Sequence, residues 1–87
     1  MDKTVFYQDR FEILVDTRGY QPYEIKCLMT NKIVEVIAQK ENQQDNAQKC
    51  NALMRQFVLP QNFVSENGQC CLSPDGVLTI TAPWCCK

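Results

Sequence analysis

Ser73-Pro74-Asp75-Gly76-Val77-Leu78-Thr79-Ile80-Thr81-Ala82-Pro83, SPDGVLTITAP, joins a tight turn to a strand with two unlike faces. Ser, Pro, Asp and Gly in succession are turn residues. From Val77 onward the side chains alternate, with Leu78, Ile80 and Ala82 on an apolar face and Val77, Thr79 and Thr81 on a more polar one. Pro83 has no N–H to give a ladder and is expected to end the strand at residue 82. Just upstream, residues 69–72 form a short strand, with Cys70 and Leu72 expected toward the core and Cys71 outward.

The same chemistry recurs along the chain. In residues 11–16, Phe11, Ile13 and Val15 share one face and Glu12 and Asp16 the other, while Leu14 breaks the alternation and suggests a partly covered second face. Gly19 and Pro22 punctuate a loop. Ile25, Cys27 and Met29 then share a face, with Lys26 turned away. Asn31-Lys32 makes a tight connection, and residues 33–39 place Val34, Val36 and Ala38 together. Residues 40–49 (KENQQDNAQK) are the most polar segment and read as a solvent-facing loop or hairpin tip. Residues 50–59 are either a strand with Leu53, Arg55 and Phe57 on one face or a short helix; Pro60 ends either one. The QNFVSENG that follows reads as loop with one helical turn. Six or seven short strands with hairpin-length joins predict an all-β fold, a small sandwich of two antiparallel sheets.

Eighty-seven residues suffice for one domain, expected to span 1–87 with its core over about 5–84. A chain of this size buries only about 60–65% of its extended surface and is marginal without a partner. A hydrophobic share of 45% argues against disorder, and no apolar run approaches the length of a membrane span. Nine basic and ten acidic residues are interspersed, so no basic stripe follows a phosphate backbone and nucleic acid is not an expected partner. The first ten residues lack the features of a signal peptide, which predicts a cytoplasmic location.

Chemistry-bearing constellations are sparse. Without histidine there is no Ser-His-Asp or Cys-His machinery and no mixed Cys/His zinc site. The three glycines are scattered and form no phosphate loop, so neither a cofactor nor catalysis is expected. Asp16 and Glu35 are the one carboxylate pair that two sheets might bring face to face, and solvated strand-face charges are the simpler reading. Six cysteines, Cys27, Cys50, Cys70, Cys71, Cys85 and Cys86, permit fifteen connectivities, and mainly reduced thiols are expected because the strands supply a core without staples. Adjacent cysteines on a strand point to opposite faces and make poor joint metal ligands. Cys27 reads as a small buried hydrophobe, and Cys85 and Cys86 as an exposed, oxidisable tail.

Four blocks, FEILVDTRGYQPYEIK, NKIVEVIAQ, LMRQFVLP and SPDGVLTITAP, resemble in order and spacing the alpha-crystallin domain of small heat-shock proteins, especially the animal form, over about residues 5–84. The resemblance implies an immunoglobulin-like sandwich and an ATP-independent holdase that binds partly unfolded clients. It implies a homodimer formed by antiparallel pairing of residues 50–59 with their copy, completing two edge ladders. Leu53, Arg55 and Phe57 then lie at the interface, with Asp45 near the position of the arginine's acidic partner. A second implied site is an apolar groove lined by Ile25, Cys27, Met29, Cys70 and Leu72, which takes an Ile-x-Ile or Ile-x-Val tail segment. Gly68 replaces a branched apolar residue there and is expected to loosen the rim. The sequence carries no Ile-x-Ile tail of its own, so large assemblies are not expected from these residues. A dedicated interaction or scaffolding domain of the same fold is the alternative reading, and a cysteine-rich secreted module a more distant one.

Overall fold

A computed structural model describes residues 2–40 and 52–85 of the chain. Seven strands are present among them: β1 Lys3–Phe6, β2 Arg10–Asp16, β3 Ile25–Met29, β4 Ile33–Gln39, β5 Ala52–Val58, β6 Gln69–Leu72 and β7 Val77–Pro83. They form two antiparallel sheets, one in the order β1-β2-β7-β6 and one in the order β3-β4-β5. The two 3₁₀ turns, Pro22–Glu24 and Ser65–Asn67, connect strands and bury nothing.

The period-two pattern decides which faces meet. Phe11, Ile13 and Val15 of β2, Val34, Val36 and Ala38 of β4, and Leu78, Ile80 and Ala82 of β7 are all buried. The register agrees, since Ile13 lies opposite Ile80 and Val15 opposite Leu78, and directly opposed residues share a face. A one-residue slip would turn Glu12 and Thr79 inward, so the core itself holds the register. Full burial of each such aliphatic side chain contributes about 1.5–3 kcal/mol.

Several features depart from the sequence-based expectations. Lys3–Phe6 is a strand that the alternation did not single out; it pairs with β2, Lys3 opposite Leu14 and Phe6 opposite Phe11. Pro83 does not stop β7 but is its last paired residue, opposite Arg10. A terminal ladder position does not need its N–H, so proline is accepted there. Residues 52–58 are a strand and not a helix. The loop before the second 3₁₀ turn carries Phe63, which is buried, meets Phe11 edge-on at 4.9 Å and forms a bridge with Trp84. The Trp84 indole N–H donates to the Tyr7 carbonyl at 2.9 Å, so this end of the sandwich is closed by Phe11, Phe63 and Trp84 together.

Buried Thr17 ends β2 by donating its hydroxyl to the Gly76 carbonyl at 2.8 Å. Gly76 sits at φ +91°, and a Cβ there would lie 2.7 Å from Arg18 Cγ, so the turn at 73–76 needs glycine on both counts. Asp16 and Glu35 lie on opposite outer faces of the sandwich: Asp16 binds Arg18 through two hydrogen bonds at 2.7 and 2.9 Å, and Glu35 accepts from Gln56 at 3.0 Å. They form no catalytic pair.

Candidate functional site

The two sheets leave their end strands on two rims. On one rim, β3 of the three-stranded sheet runs beside β6 of the four-stranded sheet, with no ladder between them. Ile25, Cys27 and Met29 stand opposite Ala38, Val36 and Val34, so all three point between the sheets. Cys70 and Leu72 stand opposite Ile80 and Leu78 and point the same way. Ile25, Cys27, Met29 and Leu72 pack against the core while remaining partly accessible. The five residues expected in a groove are therefore brought together at one rim.

Two contacts cross this rim. Met29 lies over Gly68, where an added Cβ would come within 2.5 Å of the thioether sulfur. Gly68 thus does not loosen the rim as expected; Met29 takes the space a side chain would fill. Two residues back along β3 and two forward along β6, alternation sets the Cys27 and Cys70 side chains opposite each other, near enough for the thiols to interact. Burial, aided by that contact, pushes the Cys27 thiol up from its ordinary 9.0 to about 12. Cys70 points inward but is exposed, because it belongs to a four-residue edge strand with nothing beyond it. Cys71 and Cys85 are exposed as expected; Cys86 lies outside the described residues.

The backbone at this rim is also free for pairing. Thr30 and Ile33 exchange both amide bonds across the β3–β4 hairpin. Alternation of the ladder then turns the backbone groups of Leu28 and Lys26 toward β4, and those of Cys27 and Met29 toward the open edge, while the Ile25 N–H is taken by the Pro22 carbonyl. Ser73 donates to Val77, so by the same rule Cys71 faces β7 while Cys70 and Leu72 face outward.

The third edge is β5. Leu59 N–H donates to the Lys32 carbonyl at 2.8 Å, which fixes the phase of the β4–β5 ladder. Leu53, Arg55 and Phe57 point their backbone groups at β4, and Met54, Gln56 and Val58 point theirs outward. On the side-chain face the reverse holds: Leu53, Arg55 and Phe57, opposite Ala38, Val36 and Val34, turn toward the inter-sheet space. Met54 and Val58 stand exposed on the outer face, as does Leu28 of β3. Arg55 Nε donates to Asp2 at 2.9 Å, and the other carboxylate oxygen of Asp2 accepts from the Asp16 amide. This pair ties the start of β1 to β5 across the second rim. Asp45, the acidic residue expected near Arg55, lies outside the described residues.

On the outer face of the four-stranded sheet, Lys3, Leu14, Asp16, Arg18, Asp75 and Val77 line a shallow depression of about 490 Å³. It explains the half-burial of Leu14, and its balanced charges favour no ligand class. Among the described residues no three Cys, Asp or Glu side chains converge as a metal site would require, and no helix is long and apolar enough to cross a membrane.

Two sheets, seven strands and these rims have close counterparts among known proteins. The sequence profile described as the Hsp20/alpha crystallin family matches residues 4–85. The chain belongs to that family. The body wall muscle protein HR-29 of Halocynthia roretzi is 35% identical over 85 residues, covering 93% of this chain and 33% of that protein. The alpha-crystallin B chain of Squalus acanthias is 34% identical over 77 residues, covering 87% of this chain and 44% of its own length. The chain therefore spans about a third to a half of these relatives. Among solved structures, the rat alpha crystallin domain superposes with a TM-score of 0.77 at 27% identity, covering 100% of this chain and 92% of that one. Stress-induced protein 1 from Caenorhabditis elegans reaches 0.79 at 19% identity, over 98% and 88% of the two chains.

Alternation identified the inward faces of these strands, and the family resemblance named the groove. Phe63, Trp84 and Asp2 were not singled out, and their partners come from distant segments. The remaining signal was the presence of two large aromatics in a small domain, where bulky apolar side chains are rarely left idle.

Proposed function

We propose that this chain is the core of a small heat-shock protein, an ATP-independent holdase that takes extended segments of other polypeptides at its strand edges. The observation that carries the reading is the rim between β3 and β6, where inward apolar and sulfur side chains lie beside outward-facing backbone groups. An extended peptide satisfies both at once: its amides complete a ladder, and its alternate side chains enter the groove. A tail segment of the Ile-x-Ile or Ile-x-Val type fits that demand, as does a partly unfolded client. Soft Met29 adapts to varied occupants at small cost.

The β5 edge serves self-association. Free backbone groups at Met54, Gln56 and Val58 pair with their copies about a twofold axis, and Leu53, Arg55 and Phe57 support that interface from the inner face. Arg55, held by Asp2 within one chain, then lies beside the seam. Exposed Leu28, Met54 and Val58 add apolar surface on the same sheet.

The test is suppression of aggregation for a broad set of unrelated, thermally unfolding clients, without nucleotide and under reducing conditions. Protection at near-stoichiometric ratios across the set is expected. Protection of a single cognate partner, with the others aggregating at their unassisted rates, would overturn the holdase reading in favour of a dedicated interaction domain.

A further inference from the structure

The groove that is expected to receive a peptide has two thiols facing each other across its middle. They belong to different sheets, and no backbone ladder holds those edges at a set distance. Cys70 is exposed to solvent on a short edge strand, and Cys27 is half-buried behind it. On one side of the pair, Met29 over Gly68 already brings the edges into van der Waals contact. Two inward thiols set opposite each other one alternation away from the Met29–Gly68 contact can reach the ~2.05 Å of a disulfide if the edges draw together, and a four-residue edge strand is the kind of element that yields.

We propose that Cys27 and Cys70 form a reversible disulfide that closes the groove, making peptide docking at this rim dependent on the thiol–disulfide balance. The proposal rests on the groove being the docking site, and it adds the means of its regulation. Disulfides of the glutathione class supply the oxidising equivalents. The Cys70 thiolate attacks one sulfur of the small disulfide and expels a thiolate, leaving a mixed disulfide on Cys70. Cys27 then loses its proton to solvent, attacks the Cys70 sulfur and expels the second thiolate. Two protein thiols are oxidised, one small disulfide is reduced to two thiols, and no other reactant is required. Exposed Cys70 is the sulfur that meets the oxidant, and Cys27 is the resolving sulfur. Because Cys27 holds its proton tightly, the second step is slow at neutral pH and accelerates as pH rises.

Closure acts on docking in two ways. The bond fills the space between Cys27 and Cys70 that an inserted side chain would use. It also draws together the two edges whose outward amides would pair with the peptide. A chain thus crosslinked does not bind the peptide, so the number of available sites falls to the reduced fraction, disulfide exchange being slow against binding.

The experiment uses the unmodified chain together with a variant keeping only this pair (Cys50, Cys71, Cys85 and Cys86 each replaced by Ser), equilibrated in oxidised and reduced glutathione. The probe is an end-blocked peptide with a central Ile-Thr-Ile sequence, its binding followed by calorimetry. Expected are a monomeric species lighter by about 2 Da, a proteolytic fragment joining Cys27 to Cys70 in both proteins, and a number of peptide sites about tenfold lower when roughly nine-tenths of the chain is crosslinked. Reductant restores binding, and Cys70→Ser binds peptide identically in both buffers. Absence of the internal crosslink in both proteins overturns the proposal, as does an undiminished number of peptide sites with the crosslink in place. If the reduced chain binds no peptide, the docking reading fails; the crosslink and its closure are then decided by mass and by slowed amide exchange along β3 and β6.

Discussion

Gln56→Pro separates the two roles of β5, its place in the sheet and its availability to a second copy. In the β4–β5 ladder the Gln56 N–H points away from β4, so proline removes no backbone hydrogen bond within the chain and only the exposed side-chain bond from Gln56 to Glu35. Its fixed φ also suits the edge of a sheet, and the preceding Arg55 is already extended. The monomer is expected to lose about 1 kcal/mol or less, as surface changes away from special features do. In an antiparallel pair of β5 strands, the missing N–H strands a carbonyl on the partner, at a cost of about 1–3 kcal/mol. Twofold symmetry repeats the defect, giving about 2–6 kcal/mol per dimer, or a dissociation constant raised about 30-fold to more than 10⁴-fold. Sedimentation equilibrium from low micromolar to submillimolar concentration reads that change, and denaturant unfolding of the monomer reads the first. Arg55→Pro is the contrasting variant, since its N–H lies in the ladder and its loss destabilises the fold itself. A Gln56→Pro chain that dimerises like the wild type would refute pairing through β5. Unfolding of that chain would refute the ladder phase assigned to it.

Three further outcomes follow from the packing and the charges. Phe63→Ala removes a buried ring in edge contact with Phe11 and is expected to lower unfolding free energy by about 3–5 kcal/mol; a loss under 1 kcal/mol in urea titration would mean that the 59–64 segment is not part of the core. Asp2→Ala breaks an exposed ion pair with Arg55 and is expected to cost no more than about 1 kcal/mol, shrinking further in high salt; a larger, salt-independent loss would argue against that assignment. For Cys27, the folded thiol holds its proton above the ordinary value of 9.0 up to about 12. The associated stability is complete below pH 9 and declines as pH rises from about 9 to 12, because the unfolded chain deprotonates first. Cys27→Ala is expected to remove that alkaline decline; an unchanged pH profile would contradict the shift.

Alternation and turn chemistry were enough to read most of this molecule from its residues. Phe11, Ile13 and Val15 against Glu12 and Asp16, and Leu78, Ile80 and Ala82 against Thr79 and Thr81, each name their buried face, because a strand turns successive side chains to opposite sides. The turn at 73–76 names itself through Gly76, whose positive φ few other residues accept. Such signals are local, written within six or seven consecutive positions. For that reason they reached the sandwich and the inward faces of β3 and β6, while the strand that would meet a second copy was named by the family resemblance alone.

What lay beyond them involves residues far apart in the chain. That Met29 occupies the space left by Gly68, that Cys27 meets Cys70, and that Asp2 reaches Arg55 depend on which edges of the two sheets come to share a rim. No period along the sequence records that pairing. The same holds for the phase of the β5 ladder: side-chain alternation identifies Leu53, Arg55 and Phe57 as one face, but which amides remain free depends on hydrogen bonds to Val34, Val36 and Ala38. Local stereochemistry sets the direction of each side chain, whereas the partner it finds is set by long-range closure of the two sheets over a common core.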